Sequence, residues 1–342
     1  MTDFPATICI VMLTAVGDAV HVLPVVTAIK RRSPATRITW ILQPGPARLV
    51  RGHPDVDEIL VFERKRGWRA FADVRRTLKD RRFDLVLAMQ QYFKAGLITA
   101  MTNAPRKLGF DRGRSRDGTW VFANEHLPPR GERHFQDQYL EFAEAIGVDP
   151  HPLTWNLGPW PEELGFREQF AAQLTRPAAS VVVATSKPEK DWPAERWADV
   201  CNALDEEFGM QAVLVGGRAP VELAAEDVIR SRTRTPPIST LGVPLRELVS
   251  ILDASAVVLS PDTGPLHMAV ALNRPTIALM GYSNPMRVGP YQRFPDLMID
   301  AYGNPGEQYA ITRENRVGRM SRISVEQVVA KLRIWRERYA GR

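Results

Sequence analysis

The sequence predicts an α/β protein made of two Rossmann-like domains facing each other across a cleft. Three observations carry this. Short apolar, β-branched runs alternate with helical patterns from end to end, as parallel strands joined by crossover helices do. The alternation breaks at a proline-rich stretch, residues 147–164, and then starts again. At 342 residues the chain is also longer than one core usually organises.

In the first half the strands are residues 7–13, 37–42, 58–62 and 83–89, with 107–110 a further one. Helical periodicity covers 19–32, 70–81 and 134–146. The stretch GVDPHPLTWNLGPWPEEL (147–164) has the composition of a linker. Strands resume at 180–185, 211–215, 256–260 and 276–280, with helices at 194–208 and 245–252. A last helix, 325–339, is able to fold back over the first domain. The expected division is therefore 1–156, 157–324 and a C-terminal segment 325–342. In such sheets ligands sit beyond the carboxyl ends of strands, and clefts between domains are favoured.

Composition narrows the function. An apolar content of 44% and a charged content of 25% suit a soluble globular protein. Residues 8–29 are mostly apolar, but Asp18, His21 and Pro24 interrupt them and no basic flank precedes them, which argues against a signal peptide or membrane span. Cys9 and Cys201 lie in separate apolar elements and read as reduced, buried thiols of a cytosolic protein. No His/Cys group has zinc spacing, so no metal is expected. Neither half carries G-x-G-x-x-G after its first strand or a G-x-x-x-x-G-K-[ST] loop, which lowers the odds of a nicotinamide, flavin or P-loop enzyme.

Charge is unevenly placed. Residues 1–156 hold 23 Lys/Arg against 17 Asp/Glu, an excess of six, while the remainder holds 22 of each. The excess concentrates in RKRGWRAFADVRRTLKDRR (64–82), with nine basic and two acidic residues. This is either a solvated helix face or a surface for an anionic partner such as nucleic acid, anionic lipid or a phosphorylated substrate. Only Trp68 and Phe71 interleave it, too few for base stacking, so nucleic acid is not the expected partner.

The chemistry concentrates in SPDTGPLHMAVALNRPTIALMG (260–281). A strand ends here, Pro265 suits the first turn of the following helix, and Thr263 or Asp262 can cap it. Gly264 permits close approach, and free N–H groups with the helix dipole suit a diphosphate, with His267 one turn in as a further donor. The plain alternative is a capped helix with a satisfied histidine. ATSKPEKDWPAERW (184–197) places Ser186, Lys187 and Lys190 at the end of another strand, where a lysine either neutralises phosphate or is simply solvated. Glu222, after VGGR (215–218), can bind ribose hydroxyls or be an ordinary helix glutamate. Asp18, in LTAVGDAVHVLP (13–24), is either a helix N-cap or a general base at a strand's carboxyl end, with His21 nearby.

Together these residues resemble the ADP-heptose:lipopolysaccharide heptosyltransferases of glycosyltransferase family 9, which have the two-domain GT-B fold. The similarity runs over almost the whole chain: GDAVHVLPVVTAIKRRSP (17–34), HPDVDEILVF (53–62), the segment 83–118, KDWPAERW (190–197) and DTGPLHMAVALNRPTIALMG (262–281). The middle segment looks more like enzymes adding the first heptose, to Kdo of the inner core. Gln90-Gln91-Tyr92 and GYSNPMR (281–287) depart from the family's usual stretches.

The resemblance implies Asp18 as general base. It implies Lys190 on the donor phosphates, Thr263, Gly264 and His267 at the diphosphate, Asp262 shaping that helix start, and Glu222 near the ribose. It implies inverting, metal-independent transfer from ADP-heptose to an anionic lipid-linked oligosaccharide without a cofactor. The enzyme would act as a monomer, peripheral at the cytoplasmic face of the inner membrane. Arg64, Lys65, Arg66 and Arg69 would then meet the acceptor. The runner-up is a glycosyltransferase of the same fold with another donor or acceptor; the rival from another class is a non-catalytic nucleotide or nucleic-acid binding protein.

Overall fold

The strands are short aliphatic and β-branched runs, and the central ones are buried on both faces, the pattern of parallel sheets covered by helices on either side. The computed structural model describes residues 4–341. It divides into two units, 1–156 and 157–342.

The first unit runs β1 (Thr7–Val11), α1 (Val16–Arg32), β2 (Arg37–Leu42), α2 (Pro44–Val50), β3 (Glu58–Val61), α3 (Trp68–Leu78), β4 (Leu85–Ala88), α4 (Phe93–Met101), β5 (Arg106–Gly109), β6 (Glu125–His126) and α5 (Phe135–Ala145). Its sheet has the order β3-β2-β1-β4-β5-β6, parallel throughout. The order reverses between β1 and β4, so the loops after these two strands diverge and leave a crevice at their carboxyl ends. On one face Phe71, Val74 and Leu78 of α3 and Ile98 of α4 pack on Cys9, Val11, Ile41 and Val86 of the sheet. The opposite side of α3 carries its basic residues.

The second unit runs α6 (Leu164–Ala172), β7 (Ala178–Val182), α7 (Ala194–Glu206), β8 (Gln211–Val215), α8 (Pro220–Arg232), β9 (Ile238–Ser239), α9 (Leu245–Ala254), β10 (Val257–Pro261), α10 (Gly264–Ala271), β11 (Thr276–Met280), α11 (Pro285–Val288), β12 (Ile299–Asp300) and α12 (Val325–Arg338). Its order, β12-β11-β10-β7-β8-β9, is again parallel and reverses between β10 and β7. The two units thus repeat one topology.

Several elements escape the sequence reading. Helix α2 (PGPARLV) looks like a turn, but its first proline occupies the first helical position, where the missing N–H has no intrahelical partner to lose. Helix α4 (FKAGLITAM) lacks a polar face that would mark its period. Strands β6, β9 and β12 are two residues each, too short to show alternation. Cys9 and Cys201 are free and buried, and burial pushes the Cys201 thiol up to about 12.

The buried face of the C-terminal helix packs in the core of the second unit. Ser324 and Gln327 form a reciprocal capping box (Gln327 N to Ser324 Oγ 3.3 Å, Ser324 N to Gln327 Oε1 2.9 Å). Val328, Leu332 and Trp335 then enter the same core as Val181, Leu259, Ile277 and Trp197. The Trp335 indole also donates to Ala256 O at 3.2 Å. Trp335→Ala should therefore destabilise the second unit by about 3–5 kcal/mol, the usual result of truncating a buried large aromatic. Urea unfolding measures it; a loss below about 1 kcal/mol would mean that the helix only rests on the surface.

Candidate functional site

In the second unit, two strand ends at the reversal carry the candidate donor residues. Strand β10 closes on buried Ser260 and Pro261, and Asp262 and Thr263 lead into α10. Thr263 occupies the N-cap position with extended backbone (φ −156°, ψ 173°), Gly264 is the first helical residue and Pro265 the second. The expected cap differs in one respect: the Thr263 side chain makes no cap hydrogen bond. The Asp262 carboxylate turns instead to the loop after β7.

There Lys190 closes a short 3-10 turn, Pro188–Lys190. Its ammonium donates to Asp262 Oδ2 at 2.5 Å and to Asp262 O at 3.2 Å. His267 Nε2 lies 3.6 Å from Asp262 Oδ1. The Lys190 and Asp262 side chains are 20% and 11% exposed, so the pair is largely withdrawn from water. Burial works against the Asp262 charge, but His267 and the Lys190 ammonium outweigh it and hold this carboxyl well below the usual carboxylate range. Asp262 thus anchors Lys190 beside the amino end of α10. A diphosphate arriving there can take hydrogen bonds from both lysine and helix.

The loop that presents Lys190 is tied at several points. Thr185 N donates to Asp191 Oδ1 at 2.6 Å, Thr185 Oγ1 donates to Lys187 O at 2.8 Å, and the buried Trp192 indole donates to Ile323 O at 3.0 Å. Ser186 and Lys187 are exposed on this loop, with the Lys187 ammonium 5.9 Å from the Tyr282 ring centre.

Glu222 serves a local purpose. Its two oxygens accept from Gly217 N at 2.5 Å and Ala219 N at 2.8 Å, closing the β8–α8 turn. A Cβ on Gly216 or Gly217 would stand 2.9 or 2.8 Å from this carboxylate, which explains the paired glycines of VGGR. These bonds assign Glu222 a structural role that its ordinary-glutamate reading did not include.

In the first unit the reversal brings together the loops after β1 and β4. Asp18 is not the N-cap of α1: the helix begins two residues earlier, and Asp18 reaches back from its third position to accept from Ala15 N at 2.8 Å. Tyr139, from α5, donates its hydroxyl to Asp18 Oδ1 at 3.3 Å. Gln90, just beyond β4, accepts from Leu13 N at 2.8 Å and donates to Thr14 O, fixing the loop before Asp18. His21 is buried, with Nδ1 3.0 Å from Gln136 Oε1, while Gln136 Nε2 donates to His21 O at 2.7 Å. That placement makes His21 part of the α1–α5 packing.

Tyr139, Gln136 and Gln90 were missed by sequence reasoning. The available signal was in FQDQYLEFAEA: Gln136, Gln138 and Glu141 lie on the helix's buried side, so each needs a partner. Glu141 meets its need with Arg114, itself 2% exposed and bonded to Asp111 (Nε to Oδ2 2.5 Å), which binds the loop after β5 to α5.

Arg64, Lys65 and Arg66 form an exposed 3-10 turn, and Arg69 lies in the first turn of α3. Arg66 pairs with Asp73. The first turn of α3 contains no acidic residue, so these cations sit at the end of the helix where its dipole disfavours them. Among the described residues no cluster of three or more His, Cys, Asp or Glu side chains could hold a metal ion.

The Lys190–Asp262 pair makes a double-mutant test necessary. Lys190→Ala should weaken ADP binding by about 1.5–3 kcal/mol and also lower stability by about 1–3 kcal/mol, because it strands a carboxylate withdrawn from water. Adding Asp262→Asn should restore much of the melting temperature without restoring ADP affinity. Recovery of both by calorimetry would give Lys190 a purely structural role.

The comparisons agree with this architecture. The family model described as Glycosyltransferase family 9 (heptosyltransferase) matches residues 71–305. The lipopolysaccharide core heptosyltransferase OpsX of Haemophilus influenzae is 30% identical over 342 residues, covering 97% of each chain. The crystal structure of a family 9 glycosyl transferase from Veillonella parvula has a TM-score of 0.83 at 23% identity, covering 98% of each chain. E. coli heptosyltransferase WaaC with ADP has a TM-score of 0.76 at 20% identity, covering 96% of this chain and 99% of that one. These two structures share the fold; the family model and the Haemophilus relative extend the kinship to sequence. The chain belongs to glycosyltransferase family 9.

Proposed function

We propose that the enzyme transfers a heptose from ADP-heptose to the inner core of lipopolysaccharide, a Kdo–lipid A type acceptor, with inversion at the anomeric carbon and without a metal. The observation that carries the donor half is the Lys190–Asp262–His267 group at the start of α10, a preorganised seat for a leaving diphosphate. The Haemophilus relative named above is a lipopolysaccharide core heptosyltransferase, which supports the sugar and the acceptor class.

The proposed chemistry is a single displacement. An acceptor hydroxyl oxygen attacks the anomeric carbon as the bond to the diphosphate oxygen breaks, and the hydroxyl proton passes to the Asp18 carboxylate. Lys190, His267 and the amides at Thr263 and Gly264 take up the charge developing on ADP. Ser186 and Lys187 lie on the same loop and would flank the donor. Glu222 would reach the ribose through lone pairs that its two backbone bonds leave available. Arg64, Lys65, Arg66 and Arg69 would bind the phosphates and carboxylates of the acceptor. The enzyme would work as a monomer at the cytoplasmic face of the inner membrane.

Asp18→Asn is the discriminating variant. An amide oxygen can still accept from Ala15 N, so the start of α1 should survive and the melting temperature should change little. As the base, however, Asp18 loses its proton acceptor, and kcat should fall by about 10²–10⁴ with donor affinity retained. Near-normal turnover would remove the base from Asp18. A panel of ADP-, UDP- and GDP-sugars in calorimetry tests the donor independently: tightest binding of a non-adenine nucleotide would favour another transferase of the same fold.

A further inference from the structure

Asp262 holds the Lys190 ammonium from one side, and the loop behind that lysine is held from another, by the segment that precedes α12. Only Asp191, Trp192 and Pro193 separate Lys190 from α7. The Trp192 indole donates to Ile323 O at 3.0 Å. Arg196, the third residue of α7, donates through Nη1 to the same carbonyl at 2.6 Å and to Ser321 O at 2.7 Å. A carbonyl oxygen has two lone pairs, so these two donors fill Ile323 O. The helix dipole disfavours a cation in the first turn, so the position of Arg196 weakens α7 rather than supporting it. Its return lies in the contact with the 321–323 carbonyls.

The turn that receives these bonds is itself fixed. Met320–Arg322 form a 3-10 turn, and Arg319 and Arg322 both donate to Asn304 Oδ1, at 2.7 and 3.0 Å. Asn304 donates through N and Nδ2 to Glu307 Oε2, at 2.7 and 2.8 Å, and Glu307 pairs with Arg316. On its other side the turn lies against Gly281, where a Cβ would stand 2.8 Å from Met320 N and 2.9 Å from Arg319 C. Gly281 directly follows β11, the neighbour of β10, and β10 leads into Asp262. The close approach at Gly281 therefore sets the turn, and through it Trp192 and Arg196, at the strand ends that carry Lys190 and Asp262.

A lysine ammonium rides on a long flexible stem and can meet one carboxylate from several loop positions. Asp262 thus fixes the ammonium but not the loop. We infer that Arg196, seated on the turn before α12, is a positioning residue for Lys190: it holds the loop so that the ammonium stays at the amino end of α10, and it touches no part of the donor. The inference rests on the donor reading of Lys190 proposed above and adds to it a group that acts only through that lysine.

The test compares ADP with adenosine on the full chain, because adenosine lacks the phosphates that Lys190 would meet. Calorimetry reads ADP, and ligand-observed NMR reads adenosine. Arg196→Ala should weaken ADP binding about 3–10-fold, the usual result of losing one or two hydrogen bonds, and leave adenosine unchanged. Arg196→Lys, which can still donate to both carbonyls, should recover most of that loss. Gly281→Ala should give the same selective loss with Arg196 and Lys190 intact, because its methyl group displaces the turn. In a Lys190→Ala background, Arg196→Ala should add nothing. Equal weakening of ADP and adenosine, an additive loss in the double variant, or wild-type ADP binding by Arg196→Ala would each overturn the inference and leave Lys190 on the phosphates. Wild-type ADP affinity in Lys190→Ala would overturn that reading, and the inference with it.

Discussion

A parallel strand can end only where its crossover begins, and at the middle of each sheet two neighbouring crossovers leave in opposite directions. The placement of the candidate site residues depends on that constraint. It puts the loops after β1 and β4 side by side in one unit, and those after β7 and β10 side by side in the other. Gln90 ties down the loop before Asp18 at the first reversal, and Lys190 meets Asp262 at the second. The strands contribute rigidity and direction, and the loops contribute the polar groups. A polar group at such a place is partly withdrawn from water and needs a partner.

The two sites meet that need differently. Asp18 accepts from a backbone amide and from the Tyr139 hydroxyl, which fix the position of its carboxylate at the strand end. Asp262 is held by an ammonium and a histidine and neutralises part of the positive charge that an anion would meet. Its folded pKa is depressed, so the stability it contributes is present above about pH 4, the unfolded carboxylate value, and is lost as pH falls through its folded pKa. The carboxylate therefore orients Lys190 at neutral pH, at the expense of some attraction for an anion.

The sequence made the fold legible because buried parallel strands are continuous apolar runs, and nine of them were long enough to show this. It made the helix start at 262–267 legible because aspartate, glycine and proline each have a positional meaning there. It could not show that Asp262 turns to Lys190, since that pairing joins loops 72 residues apart and depends on which strands are neighbours. The same holds for Tyr139 and Asp18, 121 residues apart. Glu222 shows the converse: its carboxylate closes a turn within five residues, and the two glycines beneath it were visible but were not read as room for a side chain. The C-terminal helix was legible as a helix, but its destination was set by Trp335 and Leu332 finding a core, which periodicity does not specify.

The basic turn before α3 is where local stability and sequence disagree most. Four cations crowd a helix start with no first-turn acid, and a tryptophan is left almost wholly in solvent. Each choice is unfavourable for the isolated fold: the dipole term alone is about 0.3–1 kcal/mol per charge at low salt. A solvated face would need none of them at this position, since the same cations placed at the helix's last turn would be stabilising, as Arg75 and Arg76 already are. Locally unfavourable residues gathered at the strand end that also carries Asp18 are what a surface selected for an outside anion would contain.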